Sequence, residues 1–138
     1  MPPVVNTLVQ FVERAAGNHA SQIIHPQYAK LKQVGDHPTF GLCYPMAEAV
    51  YHLIQKHAPN VEVKAIQQKI NFRGEMVSHW ALQLGCGTVV DPSRPQFPHD
   101  MALPYHSFKG RAFYPQQSKA CQFILSKVAD WEFLIPKS

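Results

Sequence analysis

Cysteine is scarce in this chain: Cys43, Cys86 and Cys121 are the only three, an odd number without paired spacing. That excludes a disulfide framework and suits a reducing compartment, so a cytoplasmic location is expected. Long apolar runs are also lacking. None approaches the ~18–20 residues of a membrane span, so no membrane partner is expected. The first residues carry no basic segment, sustained apolar stretch or cleavage signature, and a signal peptide is not expected.

Charge is sparse, at 16% of residues, and its excess is positive, at +4. Lysine and arginine are scattered from Arg14 to Lys137 with no dense basic cluster interleaved with aromatics, so nucleic acid is not the expected partner. Metal-ligand spacings are missing too. There is no Cys-x-x-Cys and no His-Glu-x-x-His, and His52 and His57 do not share a helix face well. Neither a metal nor another cofactor is expected. With no repeat, low-complexity tract or internal linker, residues 1–138 read as one domain, and 46% apolar residues are enough for a core.

What the chain does have is Gly41-Leu42-Cys43-Tyr44-Pro45, followed by a helical pattern that runs through Tyr51, Leu53 and Ile54 to His57. Pro45 fits the first turn, where a missing N–H costs nothing, so a helix starts at or beside Cys43. The unpaired N–H groups and positive dipole end found there favour a thiolate, and they can bind the oxyanion formed when it attacks a carbonyl.

Upstream, Val5, Leu8, Val12 and Ala15 form the apolar stripe of a helix over 4–16, with Gly17-Asn18 as its stop. Residues 21–39 read mostly as connection, with a helical turn near Tyr28–Gln33 between His25-Pro26 and His37-Pro38. Downstream, Val61–Ala65 opens a strand reaching Ile70 or Phe72, and Arg73-Gly74-Glu75 turns it into a second strand over 76–84. There, His79 lies on the face opposite Trp80, Leu82 and Leu84. If Gly85-Cys86-Gly87 is a three-residue loop, Leu84 pairs with Thr88 and Asp91 falls opposite Ala81, diagonal to His79 on its face. A one-residue slip would turn Asp91 to the Trp80 face. Residues 92–115, rich in proline and aromatics, predict an extended loop with a short strand near Arg111–Tyr114 that covers the site or caps the sheet. Ala120, Phe123, Ile124, Val128 and Trp131 then predict a second amphipathic helix over 116–131, with Cys121 as a packing residue.

A cysteine at a helix start, a histidine on a strand and an aspartate on the next strand make the set a thiol acyl-transfer site needs. Cys43 attacks a carbonyl, His79 takes and returns the proton, and Asp91 fixes the imidazole tautomer. Gly41-Leu42-Cys43-Tyr44, Ser78-His79-Trp80-Ala81-Leu82 and Val90-Asp91-Pro92-Ser93 resemble the core of the transglutaminase-like, papain-like cysteine enzyme superfamily, with Gln96-Phe97 as a continuation. Short bacterial and phage proteins with the same three blocks are similar, which would put the chain in a bacterial or phage-infected host cytoplasm. The resemblance implies an α+β fold, with N-terminal-side helices packed on a small antiparallel sheet, and Cys43, His79 and Asp91 as the catalytic set. It leaves the reaction open among peptidases, amidases, deamidases and transferases.

The expected activity is hydrolysis of an amide or isopeptide bond through a thioester, on a protein or peptide substrate or a small amide. The alternatives are acyl transfer to an amine on the same triad, or an inactive protein-binding module of the same fold. Tyr44, Gln33, His37 and Trp80 are the candidates for a second oxyanion donor or for lining the pocket.

Overall fold

The structure, a computed structural model, describes residues 1–136. Lys137 and Ser138, the end of the span read as one domain, lie outside the described residues. Five α-helices and a four-stranded antiparallel sheet make an α+β fold among these residues, the class that the resemblance implied. No helix among them is long and apolar enough to cross a membrane.

Helix α1 (Pro3–Asn18) starts with proline in its first turn and buries Val5, Leu8, Val12 and Ala15, the expected stripe. It runs through Gly17, the residue read as a stop, and is followed at once by the short α2 (Ala20–Ile23). Helix α3 (Pro26–Leu31) begins after His25, whose ring accepts the Gln27 N–H and so caps it.

Helix α4 (Cys43–His57) has the bounds the sequence implied and lies at the centre of the fold, against α1, α5 and the sheet. A helix covered on several sides must be apolar on several sides, and Met46, Ala47, Ala49, Val50, Leu53 and Ile54 all have 3% exposure or less. Glu48 is buried among them. Its carboxylate accepts the Ser118 hydroxyl at 2.7 Å, and that same oxygen accepts the Cys121 N–H as the N-cap of α5 (Lys119–Val128). Two helices are thus joined through one hydroxyl. Helix α5 is shorter than the expected span: after Val128 the chain tightens into a 3₁₀ turn, Ala129–Leu134, held to α4 by Glu132 through Lys56 and His57.

The sheet has the order β3-β2-β1-β4. Strands β1 (Val63–Phe72) and β2 (Glu75–Leu84) are joined by Arg73 and Gly74, both at positive φ, which suits a two-residue hairpin turn. The Arg73 guanidinium pairs with Asp36 and donates to the Leu31 carbonyl, so the hairpin tip anchors the end of α3 beside the sheet. Strand β3 (Val89–Val90) pairs with Leu82 and Gln83, and the Leu84 N–H donates to Thr88 O at 2.9 Å. This is the register expected of a three-residue loop. Strand β4 (Lys109–Gly110) pairs with Gln67 and Ile66, earlier in the chain than the expected strand near Arg111–Tyr114. The reason is Phe113: its ring stacks on Trp80 at 5.4 Å, which takes the chain out of the ladder.

The hydrogen-bond directions follow from two contacts. Leu84 bonds toward β3, and Ala65, paired with Leu82, accepts the Arg111 N–H on the side of β4. The even-numbered residues of β2 therefore turn their main-chain groups away from β1. Since β3 covers only Leu82 and Gln83, the main chain at Ser78 and Met76 faces an edge with no strand on it.

Replacing Ser118 with alanine removes the cap of α5 and leaves the buried Glu48 carboxylate short of its best donor. We expect a loss of about 2–4 kcal/mol in stability by urea unfolding. A loss below about 0.5 kcal/mol would mean the hydroxyl does not join the helices.

Candidate active site

Cys43 is the first residue of α4, and its placement depends on the turn before it. Gly41 has a φ of +81°, and a Cβ there would lie 2.7 Å from the Cβ of Tyr28, so this position accepts only glycine without displacement of α3. The Gly41 N–H donates to the Gln96 side chain at 3.0 Å, which ties the turn to the segment following β3. The first rung of α4 is Met46 N–H to Leu42 O, and Pro45 has no N–H, so the amides of Cys43 and Tyr44 lie outside the helical ladder. They are available to a developing oxyanion.

The Cys43 thiol donates to Ser78 O at 3.4 Å, on the bare edge of β2. The next residue, His79, is 1% exposed on the opposite face of the sheet from Leu82, as its alternation predicted. Its surroundings are not the polar face that such alternation suggests. The 92–110 segment covers this face, and the imidazole lies edge-on to Phe97 at 4.9 Å and to Phe108 at 6.0 Å. His79 Nε2 lies 2.6 Å from Asp91 Oδ2, and Asp91 follows β3 at the position opposite Ala81.

With Nε2 donating to the carboxylate, Nδ1 is the nitrogen without a hydrogen in the neutral ring. It is buried and has no hydrogen-bond partner among the described residues. Cys43 and His79 both line a small cavity, together with Gln96, Phe97 and Tyr28. Burial works against a charge on His79, but the Asp91 hydrogen bond and the neighbouring Cys43 outweigh it. The imidazole pKa rises from 6.5 to about 9.

Two tyrosines not singled out from the sequence belong to this group. Tyr105 donates its hydroxyl to Asp91 Oδ2 at 2.6 Å, so one carboxylate oxygen holds both the imidazole and a phenol. Burial and the Asp91 charge raise the Tyr105 pKa, so it remains a donor. Tyr28, on α3, lines both cavities that contain Cys43; burial, and then Cys43, raise its pKa as well. A protonated phenol near the thiol is a second candidate oxyanion donor. The only local signal for Tyr28 is its place after the His25-Pro26 helix start, and Tyr105 lies in a stretch without periodicity.

The four pocket candidates divide in two. Tyr44 and Trp80 line the open cleft of about 430 Å³ beside Cys43 and meet edge to face at 4.9 Å. The Tyr44 hydroxyl accepts the Tyr114 N–H at 2.9 Å. Gln33 and His37 line neither cavity that holds Cys43. Gln33 is exposed, with its N–H on Asp36, and His37 turns its ring onto Thr39 at 2.7 Å. Nearness in sequence misled here, because the Arg73–Asp36 pair draws this loop toward the hairpin tip.

Compared with known protein families, with curated proteins and with solved structures, the chain matches none. The chemistry of the site therefore rests on its own geometry.

Because the folded pKa of His79 lies above the ordinary 6.5, its protonated form stabilises the fold fully below about pH 6.5, and this is lost as pH rises through 9. Urea titrations should show stability falling over that window by up to roughly 3 kcal/mol, and His79→Gln should flatten the profile. In ring-proton NMR titrations, Cys43→Ala should lower the His79 pKa. An unchanged value would mean that the thiol and the imidazole do not interact.

Proposed function

We propose that the protein is a thiol acyl-transfer enzyme that hydrolyses an amide or isopeptide bond through a thioester on Cys43, within a papain-like or transglutaminase-like core. The observation that carries this reading is a buried imidazole held at Nε2 by Asp91, with its bare Nδ1 in the same cavity as a cysteine at a helix N-terminus. A histidine with a purely structural role would be expected to bond through both nitrogens, since an orphaned buried acceptor costs about 1–3 kcal/mol.

Binding of an acyl group in the open cleft draws the thiol from Ser78 O, and its proton passes to His79 Nδ1. The sulfur attacks the carbonyl carbon, and the negative charge on oxygen falls to the Cys43 and Tyr44 amides and the Tyr28 hydroxyl. His79 gives the proton to the departing nitrogen, and the amine leaves. A water molecule, deprotonated by the same Nδ1, then opens the thioester and frees the acid. Throughout, Asp91 accepts the Nε2 hydrogen, so that Nδ1 is the nitrogen that takes and returns the proton, and Tyr105 holds Asp91.

Iodoacetamide labelling of the native protein, read residue by residue by mass spectrometry, tests the pair. At pH 6, Cys43 should label about tenfold or more faster than the exposed Cys86, and His79→Ala should abolish the difference. Equal labelling of the two thiols would remove the catalytic reading. Once a turned-over amide is in hand, Tyr28→Phe should lower kcat by about 10- to 100-fold while leaving the alkylation rate of Cys43 unchanged, because alkylation forms no oxyanion. A matching drop in both rates would make Tyr28 a packing residue.

A further inference from the structure

We infer, on the strength of the thiol acyl-transfer reading above, that the substrate is an extended acidic segment of polypeptide that crosses Cys43 and places a carboxylate against Arg111. The surface on either side of the cleft carries this inference. On one side, a hollow of about 550 Å³ lies between α3 and the edge of β2, reaching Lys30, Met76 and Val77. It shares His25, Gln27 and Tyr28 with the cleft that holds Cys43. On the other side, a hollow of about 460 Å³ lies where α4 meets β1 and β4, lined by His52, Lys64 and Arg111. Tyr114 is common to this hollow and the cleft. The three form one groove with the nucleophile in its middle third, whereas a small amide would need the central cleft alone.

Main chain and charge agree on the occupant. In the first hollow, the N–H and C=O of Met76 face the bare edge of β2, where an extended peptide can add as a strand. In the third, Arg111 lines the groove with no acid beside it, whereas Lys64 alternates to the strand face opposite Val63 and Ala65 and also borders a hollow that holds Glu62. Lys56 and Arg73 elsewhere on the surface are each paired with a carboxylate, but among the described residues no ion pair includes Arg111. Arg111 lies 5.9 Å over the Trp80 ring, which is itself a wall of the Cys43 cleft, so its charge lies beside the reacting centre. Glu75 is the one acid lining the two outer hollows, at the far end from Arg111.

The test compares two synthetic peptides of about twelve residues, long enough to span the groove when extended, one rich in glutamate and the other with glutamine in each of those places. Binding is read by fluorescence anisotropy on Cys43→Ala, and protection of Cys43 from iodoacetamide is read on the wild type. The glutamate peptide should bind and protect about three- to tenfold better than its glutamine partner at low salt, and lose that margin at high salt. The variant Arg111→Gln should lose the preference while keeping its affinity for the glutamine peptide.

Equal binding of both peptides, a preference that survives in Arg111→Gln, or equal protection by a single-stranded oligonucleotide would overturn the inference. An inert Cys43 would sink the enzymatic reading separately, since anisotropy still decides whether the groove prefers the acidic peptide.

Discussion

The site depends on one seam, where the first turn of α4 abuts the uncovered edge of β2. A sheet edge leaves main-chain donors and acceptors that must find partners, and here one of them, Ser78 O, takes the Cys43 thiol. The contact fixes the sulfur at the boundary between the two faces of the sheet. The helical core lies on one side, and the imidazole of the very next residue lies on the other. Because consecutive strand residues point to opposite faces, a cysteine resting on the main chain of one residue can meet the side chain of its neighbour. The shortness of β3 is therefore part of the site: were it to continue beside Ser78, it would take the place of Cys43.

Around this seam the two faces serve different ends. The face toward α1, α4 and α5 is an ordinary close-packed core. The other face is covered by chain with little regular structure, and there the histidine, the aspartate and Tyr105 lie among Phe97 and Phe108. A dry aromatic setting strengthens the imidazole–carboxylate contact and makes the bare Nδ1 costly to maintain. The covering aromatics thus oppose a charge on the imidazole while they close the fold, and Asp91 and Cys43 outweigh them.

Cys43, His79 and Asp91 were legible because their positions follow from periods and turn lengths. A proline-marked helix start, a strand alternation and a three-residue hairpin loop are local rules, and each held. Tyr28 and Tyr105 were not legible, and Gln96 was marked only as a continuation of the resemblance, without its bond to Gly41. They arrive on connections whose paths are set by distant contacts, such as Arg73 on Asp36 or Gly41 on Gln96, and no period in the sequence encodes those meetings. Gln33 and His37 show the converse error, since closeness along the chain gave them a pocket that the turn around Asp36 denied. Glu48 was missed for a related reason: its acidity marks the solvent side of a helix unless a second helix brings a capping hydroxyl to meet it.

The cover over the imidazole is held in an unusual manner. Arg94 donates to the carbonyls of Phe97, Pro98, His99 and Met101, so one guanidinium gathers a loop that no ladder secures. Phe97 hangs from that gathering and forms the dry wall beside His79. Local order and local polarity are consequently a single quantity in this part of the molecule. Any fluctuation that frees the loop admits water to the pair, and the basicity of the imidazole becomes a gauge of how tightly one arginine holds its carbonyls.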